Sequence, residues 1–190
     1  LKYRVPGRDW LPFGEAPLMD AQRAVGLVRA RSAPLKLHPS RIGFLGFSAG
    51  GHLTGRLAAT SGGDRFRRAY PRVDASDDLS CRPDFTLMIY PWCLIGPVGE
   101  CSQLTNTTVN VPVSQGNPPG FLAQAEDDPV HVENSLLYFL ALKTRGRRLK
   151  RPPSWWHNPI PPALPVAAFG FRRLSTIQRS HQASWRAPIG

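Results

Sequence analysis

One short stretch of the sequence combines residue types and spacing that suit nucleophilic chemistry. Residues 46–50 read Gly-Phe-Ser-Ala-Gly, a G-x-S-x-G pattern, and a further glycine follows at Gly51. A serine hydroxyl is a weak nucleophile unless a neighbouring base takes its proton, and a third group usually orients that base. If Ser48 is a nucleophile, the chain must therefore supply a histidine and a carboxylate further along.

The residues around Ser48 also predict the backbone that such a nucleophile needs. Residues 41–47 form a mostly apolar run that is typical of a strand buried on both faces, and Leu53 and Leu57 stand four apart, as on one face of a helix. A sharp turn from strand to helix requires glycines on both sides of the serine, because any Cβ there would collide with its neighbours. The turn would expose Ser48 Oγ, and the Ala49 N–H would stabilise an oxyanion. A glycine-rich turn whose serine only caps a helix is the alternative.

A cluster of carboxylates follows another apolar segment. Residues 118–128, PPGFLAQAEDD, read as a short buried strand that ends in Glu126, Asp127 and Asp128. Ligands of open α/β sheets bind at the carboxyl edge of the strands, so an acid in this turn would lie on the side of the sheet where Ser48 is expected. We interpret Glu126 and Asp127 as solvated or helix-capping acids.

The remaining periodicities predict the elements that would position these groups. A helix is expected after Pro17, a second buried strand at DFTLMIYPW, and a last helix over residues 131–143. The predicted inner faces are Leu18, Ala21, Val25 and Val28 in the first helix, and Val132, Leu136, Phe139 or Leu140 and Lys143 in the last. The alternation of helices and strands predicts an α/β domain with a mainly parallel sheet and flanking helices.

Charge and proline content divide the chain into two parts. Residues 1–133 hold 14 basic and all 13 acidic residues, whereas residues 134–190 hold 10 basic residues and no acid, so the net charge of +11 is concentrated near the C-terminus. Residues 152–165 contain six prolines, which cannot donate to a sheet ladder. We therefore predict one core domain over 1–146 and a Pro- and Arg-rich segment over 147–190.

Composition argues against several classes of function. No apolar run approaches the roughly 20 residues that span a bilayer, so no membrane span is expected. Cys81, Cys93 and Cys101 match no zinc spacing, and no metal or organic cofactor is implied. The basic C-terminal part lacks the interleaved aromatic residues of single-strand binders, so a nucleic-acid partner is not expected. The residues leave the oligomeric state and the cellular location open.

Several segments together resemble a known family. LKYRVP with DAQRAVGLVR, RIGFLGFSAGGHL, RPDFTLMIYP and PPGFLAQAEDDPVHVENSLLYFLALK resemble the α/β-hydrolase esterase/lipase family, in its acetyl-esterase-like and carbohydrate-esterase-like branch. The resemblance covers roughly residues 1–146. It implies hydrolysis of carboxylic esters, of a small molecule or a carbohydrate, by a Ser-Asp-His triad. In that family the acid occupies the last aspartate of the turn, here Asp128, and the histidine at His52 packs on its helix.

The sequence departs from the family pattern in two places. The resemblance implies an oxyanion loop of the HGGG type and first strands upstream of LKYRVP, and we expect the chain to lack them. When PVAAFGFRR is aligned with the family's histidine motif, the histidine position falls on Ala167, which leaves His157 and, less well placed, His181 as candidate bases. The leading hypothesis is thus a serine ester hydrolase, and the alternative is a non-catalytic, degenerate hydrolase fragment or binding module.

Overall fold

The computed structural model of the protein describes residues 1–5, 11–60, 68–97 and 108–146. The predicted segment 147–190 lies outside these residues, and so do both candidate bases, His157 and His181, and Ala167. No helix in the described ranges is long and apolar enough to cross a membrane.

The described elements follow the order that the sequence predicts. In chain order they are α1 (Glu15–Ala30), β1 (Gly43–Phe47), α2 (Ala49–Ala59), a 3-10 helix (Ala75–Asp78), β2 (Phe85–Ile89), β3 (Gly120–Ala123) and α3 (Glu133–Gly146). The three strands pair in parallel in the order β1-β2-β3. The predicted α/β class, with a parallel sheet and flanking helices, is therefore confirmed.

Helices α1 and α2 pack together on one face of this sheet. Most of the apolar residues predicted for their inner faces are buried: Leu18, Ala21 and Val25 of α1 pack with Leu53 and Leu57 of α2, and Val28 is half-buried against them. A second buried cluster surrounds Met88 of β2 and includes Leu94, Val111, Leu122 and Tyr138. The strand register places Gly46, Met88 and Leu122 side by side, so the helices that contact them share one face of the sheet.

The prediction that β1 is buried on both faces is wrong. Gly46 is buried, but Leu45 and Phe47 are each 51% exposed. Successive side chains of a strand point to opposite faces, so Leu45 and Phe47 lie on the face away from α1 and α2. None of the described helices packs over these two side chains. The continuous apolar run thus predicted the strand correctly, but it did not predict that one face of the strand is exposed.

The inner face predicted for α3 is also wrong. Leu140 is 51% exposed, whereas Asn134, Ser135 and Tyr138 are buried. The two buried polar side chains are hydrogen-bonded: Leu94 N–H donates to Asn134 Oδ1 at 2.7 Å, and Ser135 Oγ donates to Gln124 Oε1 at 2.6 Å. Because these hydrogen bonds satisfy the two polar side chains, burying them costs little free energy. A prediction from the spacing of apolar residues alone could not place them on the inner face.

Helix α1 is joined to the 3-10 helix by a buried carboxylate. Asp77 accepts hydrogen bonds from Tyr70 Oη at 2.6 Å and Val73 N–H at 2.8 Å, and Arg23 lies 2.9 Å away. Burial alone would raise the pKa of Asp77, but these donors together outweigh it and lower the pKa to about 2.

We expect Asp77 to make the fold acid-sensitive. Its folded pKa lies below its ordinary value of 3.8, so its contribution to the free energy of unfolding is complete above that value and is lost as pH falls toward and through about 2. Urea unfolding as a function of pH measures this. Asp77→Asn should lower stability at neutral pH by about 2 kcal/mol and flatten the acid limb. An unchanged acid limb in this variant would show that Asp77 is not the sensitive group.

Candidate active site

Ser48 lies at the turn between β1 and α2, in a backbone conformation that serine rarely adopts. Its φ is 50° and its ψ is −119°. Such a conformation costs about 1–3 kcal/mol and persists only where the surrounding structure imposes it. The sharp turn from strand to helix that the motif predicts is therefore present.

Backbone hydrogen bonds to β2 and the loop after it hold this turn in place. Ser48 N–H donates to the Ile89 carbonyl at 3.1 Å, and Trp92 N–H donates to the Ser48 carbonyl at 3.0 Å. The same carbonyl accepts from Gly51 and His52, the first hydrogen bonds of α2. The turn is thus bonded on both sides, which provides the external support that a strained residue requires.

Two glycines make the turn sterically possible. A Cβ on Gly46 would overlap the carbonyl of Gly50 and the hydroxyl of Thr54, and a Cβ on Gly51 would come within 2.8 Å of Pro91. A Cβ on Gly50, by contrast, would lie 3.9 Å from Tyr3 Oη, which is an ordinary van der Waals contact. The sequence predicted that the glycines on both sides of Ser48 must lack a side chain. This prediction is right for Gly46 and wrong for Gly50. The second required glycine is Gly51, because it packs directly on the loop after β2.

The start of α2 leaves backbone donors available. Among the described residues, the Ala49 N–H donates to no hydrogen-bond acceptor. Free N–H groups and the helix dipole favour negative charge at a helix N-terminus. This is where the sequence predicted an oxyanion donor, one residue after Ser48.

The loop after β2 contains two further residues with positive φ that the sequence analysis missed. Tyr90 has a φ of 36° and Cys93 a φ of 62°, and Cys93 is disulfide-bonded. Residues in such conformations tend to gather at functional sites, and here both follow the strand next to Ser48. Neither residue type favours positive φ, so no sequence signal marked them.

Asp128 lies in the turn after β3, on the same edge of the sheet as Ser48. Its carboxylate is half-buried and accepts the Val130 N–H at 2.8 Å, whereas Glu126 and Asp127 are exposed, as the sequence predicted. Strand β2 separates β1 from β3, and two strand spacings are about 10 Å. That separation leaves room for an imidazole between a serine and an acid.

Gln124 closes the turn that carries Asp128. Its side-chain amide donates to the Val130 carbonyl and accepts from Ser135 Oγ at 2.6 Å. Gln124 is 7% exposed, so these bonds are shielded from water. The sequence analysis did not single out Gln124, because a glutamine at the end of an apolar strand carries no motif.

Comparison with known proteins supports the resemblance seen in the sequence. The family model BD-FAE matches residues 1–81. The crystal structure of an acetyl ester-xyloside bifunctional hydrolase from Caldicellulosiruptor lactoaceticus is similar to this chain with 37% sequence identity and a TM-score of 0.57, over 77% of this chain and 56% of that one. The chain is thus similar in sequence and in fold to α/β-hydrolase esterases.

Two curated proteins are also similar to this chain. Endo-1,4-beta-xylanase B of Butyrivibrio fibrisolvens is 30% identical over 149 residues, which are 71% of this chain and 23% of that protein. Acetylxylan esterase of Xylanibacter ruminicola is 26% identical over 158 residues, 72% of this chain and 29% of the esterase. The chain thus spans less than a third of the length of these curated relatives.

The described part of the chain places no histidine in a triad. His52 is buried, and its Nδ1 lies 2.7 Å from the Cys93 carbonyl, which it therefore donates to. Burial lowers the pKa of His52, with the nearby Arg56 charge acting in the same direction. Among the described residues, no histidine is recorded in a hydrogen bond with Ser48 or Asp128. His52 is thus a buried residue of α2 whose ring bonds the loop after β2, and the predicted base His157 is outside the described ranges.

A cavity of about 360 Å³ lies beside the turn. Its wall includes Ala49 at the start of α2, and its other lining side chains are largely aromatic or apolar: Tyr3, Phe13, Pro17, His52, Leu53 and Trp92, with Arg56 at one side. The volume falls within the range of small-molecule sites. Within the described ranges, no group of three or more His, Cys, Asp or Glu side chains could hold a metal ion.

The two glycines of the motif should respond in opposite ways to a methyl group. Gly46→Ala should lower the free energy of unfolding by about 3 kcal/mol, because the new Cβ would overlap the Gly50 carbonyl. Gly50→Ala should leave it unchanged or raise it by up to about 1 kcal/mol, since alanine favours a helix. Urea unfolding of both variants measures the difference. Equal destabilisation would contradict the packing described for the turn.

Proposed function

We propose that the chain is a serine hydrolase of carboxylic esters, with Ser48 as the nucleophile and Asp128 as the acid that orients the base. The observation that carries this proposal is the strained backbone of Ser48 at a turn from a parallel strand into a helix. A serine that only caps a helix needs no such strain and would place a side-chain hydrogen bond on the helix. Ser48 makes no side-chain cap bond.

The proposed reaction follows the usual two-step acyl transfer. Ser48 Oγ attacks the ester carbonyl carbon while its proton passes to the base, and the carbonyl oxygen gains the negative charge. The Ala49 N–H donates to that oxyanion. Collapse of the intermediate breaks the bond to the alcohol oxygen, which takes the proton from the base. Water then gives a proton to the base and attacks the acyl-serine, the bond to Ser48 Oγ breaks with release of the carboxylic acid, and Ser48 Oγ regains the proton from the base.

We propose His157 as the base from its position in the sequence. His157 follows Asp128 in the chain, which is the order Ser, Asp, His of this fold, and its position lies outside the described residues. The division into a catalytic core over 1–146 and a separate segment over 147–190 is proposed on the charge and proline pattern.

The proposed substrate is a short-chain acyl ester, attached to a small molecule or a carbohydrate. The names of the similar proteins support it, since one is an acetylxylan esterase and another an acetyl ester-xyloside hydrolase. The cavity next to Ala49 supports an uncharged group beside the nucleophile, because most of its wall is apolar.

A second candidate is a non-catalytic binding module that keeps the turn and the cavity. The observation that favours it is that His52, the described histidine nearest to Ser48 in sequence, already donates to the Cys93 carbonyl. In that case Ser48 Oγ would have no base and would react slowly.

Covalent labelling separates the two candidates. If Ser48 is activated, a fluorophosphonate probe should label the chain rapidly and at that residue, and Ser48→Ala should abolish both the label and hydrolysis of p-nitrophenyl acetate. Asp128→Asn should slow hydrolysis by up to about 10⁴-fold, because the base loses its orientation. Glu126→Gln is the matched control and should have little effect, since Glu126 is exposed. Slow labelling that Ser48→Ala does not change would support the binding module.

A further inference from the structure

The ring of His52 connects helix α2 to the loop after β2 through one buried hydrogen bond. Its Nδ1 lies 2.7 Å from the Cys93 carbonyl, and the side chain is buried. A carbonyl oxygen can only accept, so Nδ1 carries the proton and donates it to this bond. The bond therefore fixes both the tautomer of the ring and the distance between the helix and the loop.

This bond closes a cycle of contacts around the Ser48 carbonyl. The backbone N–H of His52 donates to that carbonyl at 3.1 Å, and the Trp92 N–H donates to it at 3.0 Å. Trp92 and Cys93 are neighbours in the chain, and the Cys93 carbonyl accepts from the His52 ring. His52 thus holds the Ser48 carbonyl directly through its backbone and indirectly through its side chain and the loop.

The loop needs a restraint, because two of its residues have unfavourable backbone conformations. Tyr90 has a φ of 36° and Cys93 a φ of 62°. Such conformations persist only where the surrounding structure imposes them. On the side of β3, the Tyr90 N–H donates to the Ala123 carbonyl at 2.7 Å. On the side of α2, the ring of His52 holds the Cys93 carbonyl.

Packing alone does not account for a histidine at this position. The ring does pack between two aromatic side chains, since its centroid lies 6.4 Å from those of Phe13 and Trp92. Its Nε2, however, is buried and makes no hydrogen bond within the described part of the chain. Burying an unpaired nitrogen costs free energy, which an apolar side chain of similar size would avoid. The donor at Nδ1 is what such a side chain could not supply.

We propose that His52 is a positioning residue for Ser48. Its Nδ1–H holds the Cys93 carbonyl, which keeps the Trp92 N–H against the Ser48 carbonyl and so fixes the backbone of the turn. His52 exchanges no proton with Ser48 in this role. The inference deepens the proposed function and rests on it for any effect on catalysis, whereas the restraint on the turn is measurable without turnover.

The ¹⁵N NMR spectrum of the ring tests the hydrogen bond in the wild-type chain. Burial lowers the pKa of His52, so the ring should be neutral at neutral pH. We expect its proton on Nδ1, the less common tautomer of a free histidine side chain. A proton on Nε2 alone would overturn the proposal, because Nδ1 could then not donate to Cys93.

Hydrogen exchange of two variants tests whether the bond restrains the turn. His52→Leu keeps an apolar side chain without a donor, whereas His52→Asn places an amide donor near the position of Nδ1. The exchange rate of the Trp92 amide is divided by that of the Thr86 amide, which donates to the Pro119 carbonyl in the sheet. This ratio should rise about tenfold in His52→Leu, as expected for one lost hydrogen bond, and stay within about twofold of wild type in His52→Asn.

Ala58→Gly is the control for a general loss of stability. Ala58 is a buried residue of the same helix, and glycine destabilises a helix without touching the loop. The exchange ratio should not change in this variant. An unchanged ratio in His52→Leu, or equal ratios in His52→Leu and His52→Asn, would overturn the proposal. Should His52→Leu fail to fold, the tautomer of the wild-type ring decides.

Labelling by a fluorophosphonate probe separates this proposal from the proposed function. If both hold, Ser48 should be labelled about tenfold more slowly in His52→Leu than in the wild-type chain, and about equally fast in His52→Asn. Wild-type labelling in His52→Leu would overturn the positioning role. A wild-type chain that is not labelled, with the exchange ratios as expected, would contradict the hydrolase and leave the restraint by His52 standing.

Discussion

The contact between Gly46 and the backbone of Gly50 is the constraint on which the candidate site depends. The last residues of β1 and the first turn of α2 approach so closely that no side chain fits between them at Gly46. Because the chain must reverse within that space, Ser48 takes a positive φ. The free Ala49 N–H follows from the same geometry, since it belongs to the first residue of the helix.

The loop after β2 connects this turn to the rest of the site. Trp92 N–H bonds the Ser48 carbonyl, the Cys93 carbonyl accepts from His52, and Leu94 N–H donates to Asn134 at the start of α3. Three consecutive residues thus connect Ser48, the cavity wall and the helix that follows Asp128.

Much of this arrangement could be predicted from the sequence, and the failures have physical causes. The strand before Ser48 and the helix after it followed from an apolar run, a glycine-rich turn and Leu53 with Leu57 four apart. The exposure of Leu45 and the polar inner face of α3 could not be predicted, because burial depends on which elements cover a face and on hydrogen bonds between residues far apart in sequence. The partners of Asn134 and His52 lie about 40 residues away, and no local pattern encodes them.

The strain at position 48 is tested most directly by comparing the free energies of unfolding of Ser48→Gly and Ser48→Ala. Both variants lack the hydroxyl, but only glycine adopts the observed φ and ψ without strain. We predict that Ser48→Gly is more stable than Ser48→Ala by about 1 kcal/mol or more. At an ordinary backbone conformation glycine would be the less stable of the two, so a Ser48→Ala variant that is as stable as Ser48→Gly, or more so, would contradict a strained turn at Ser48.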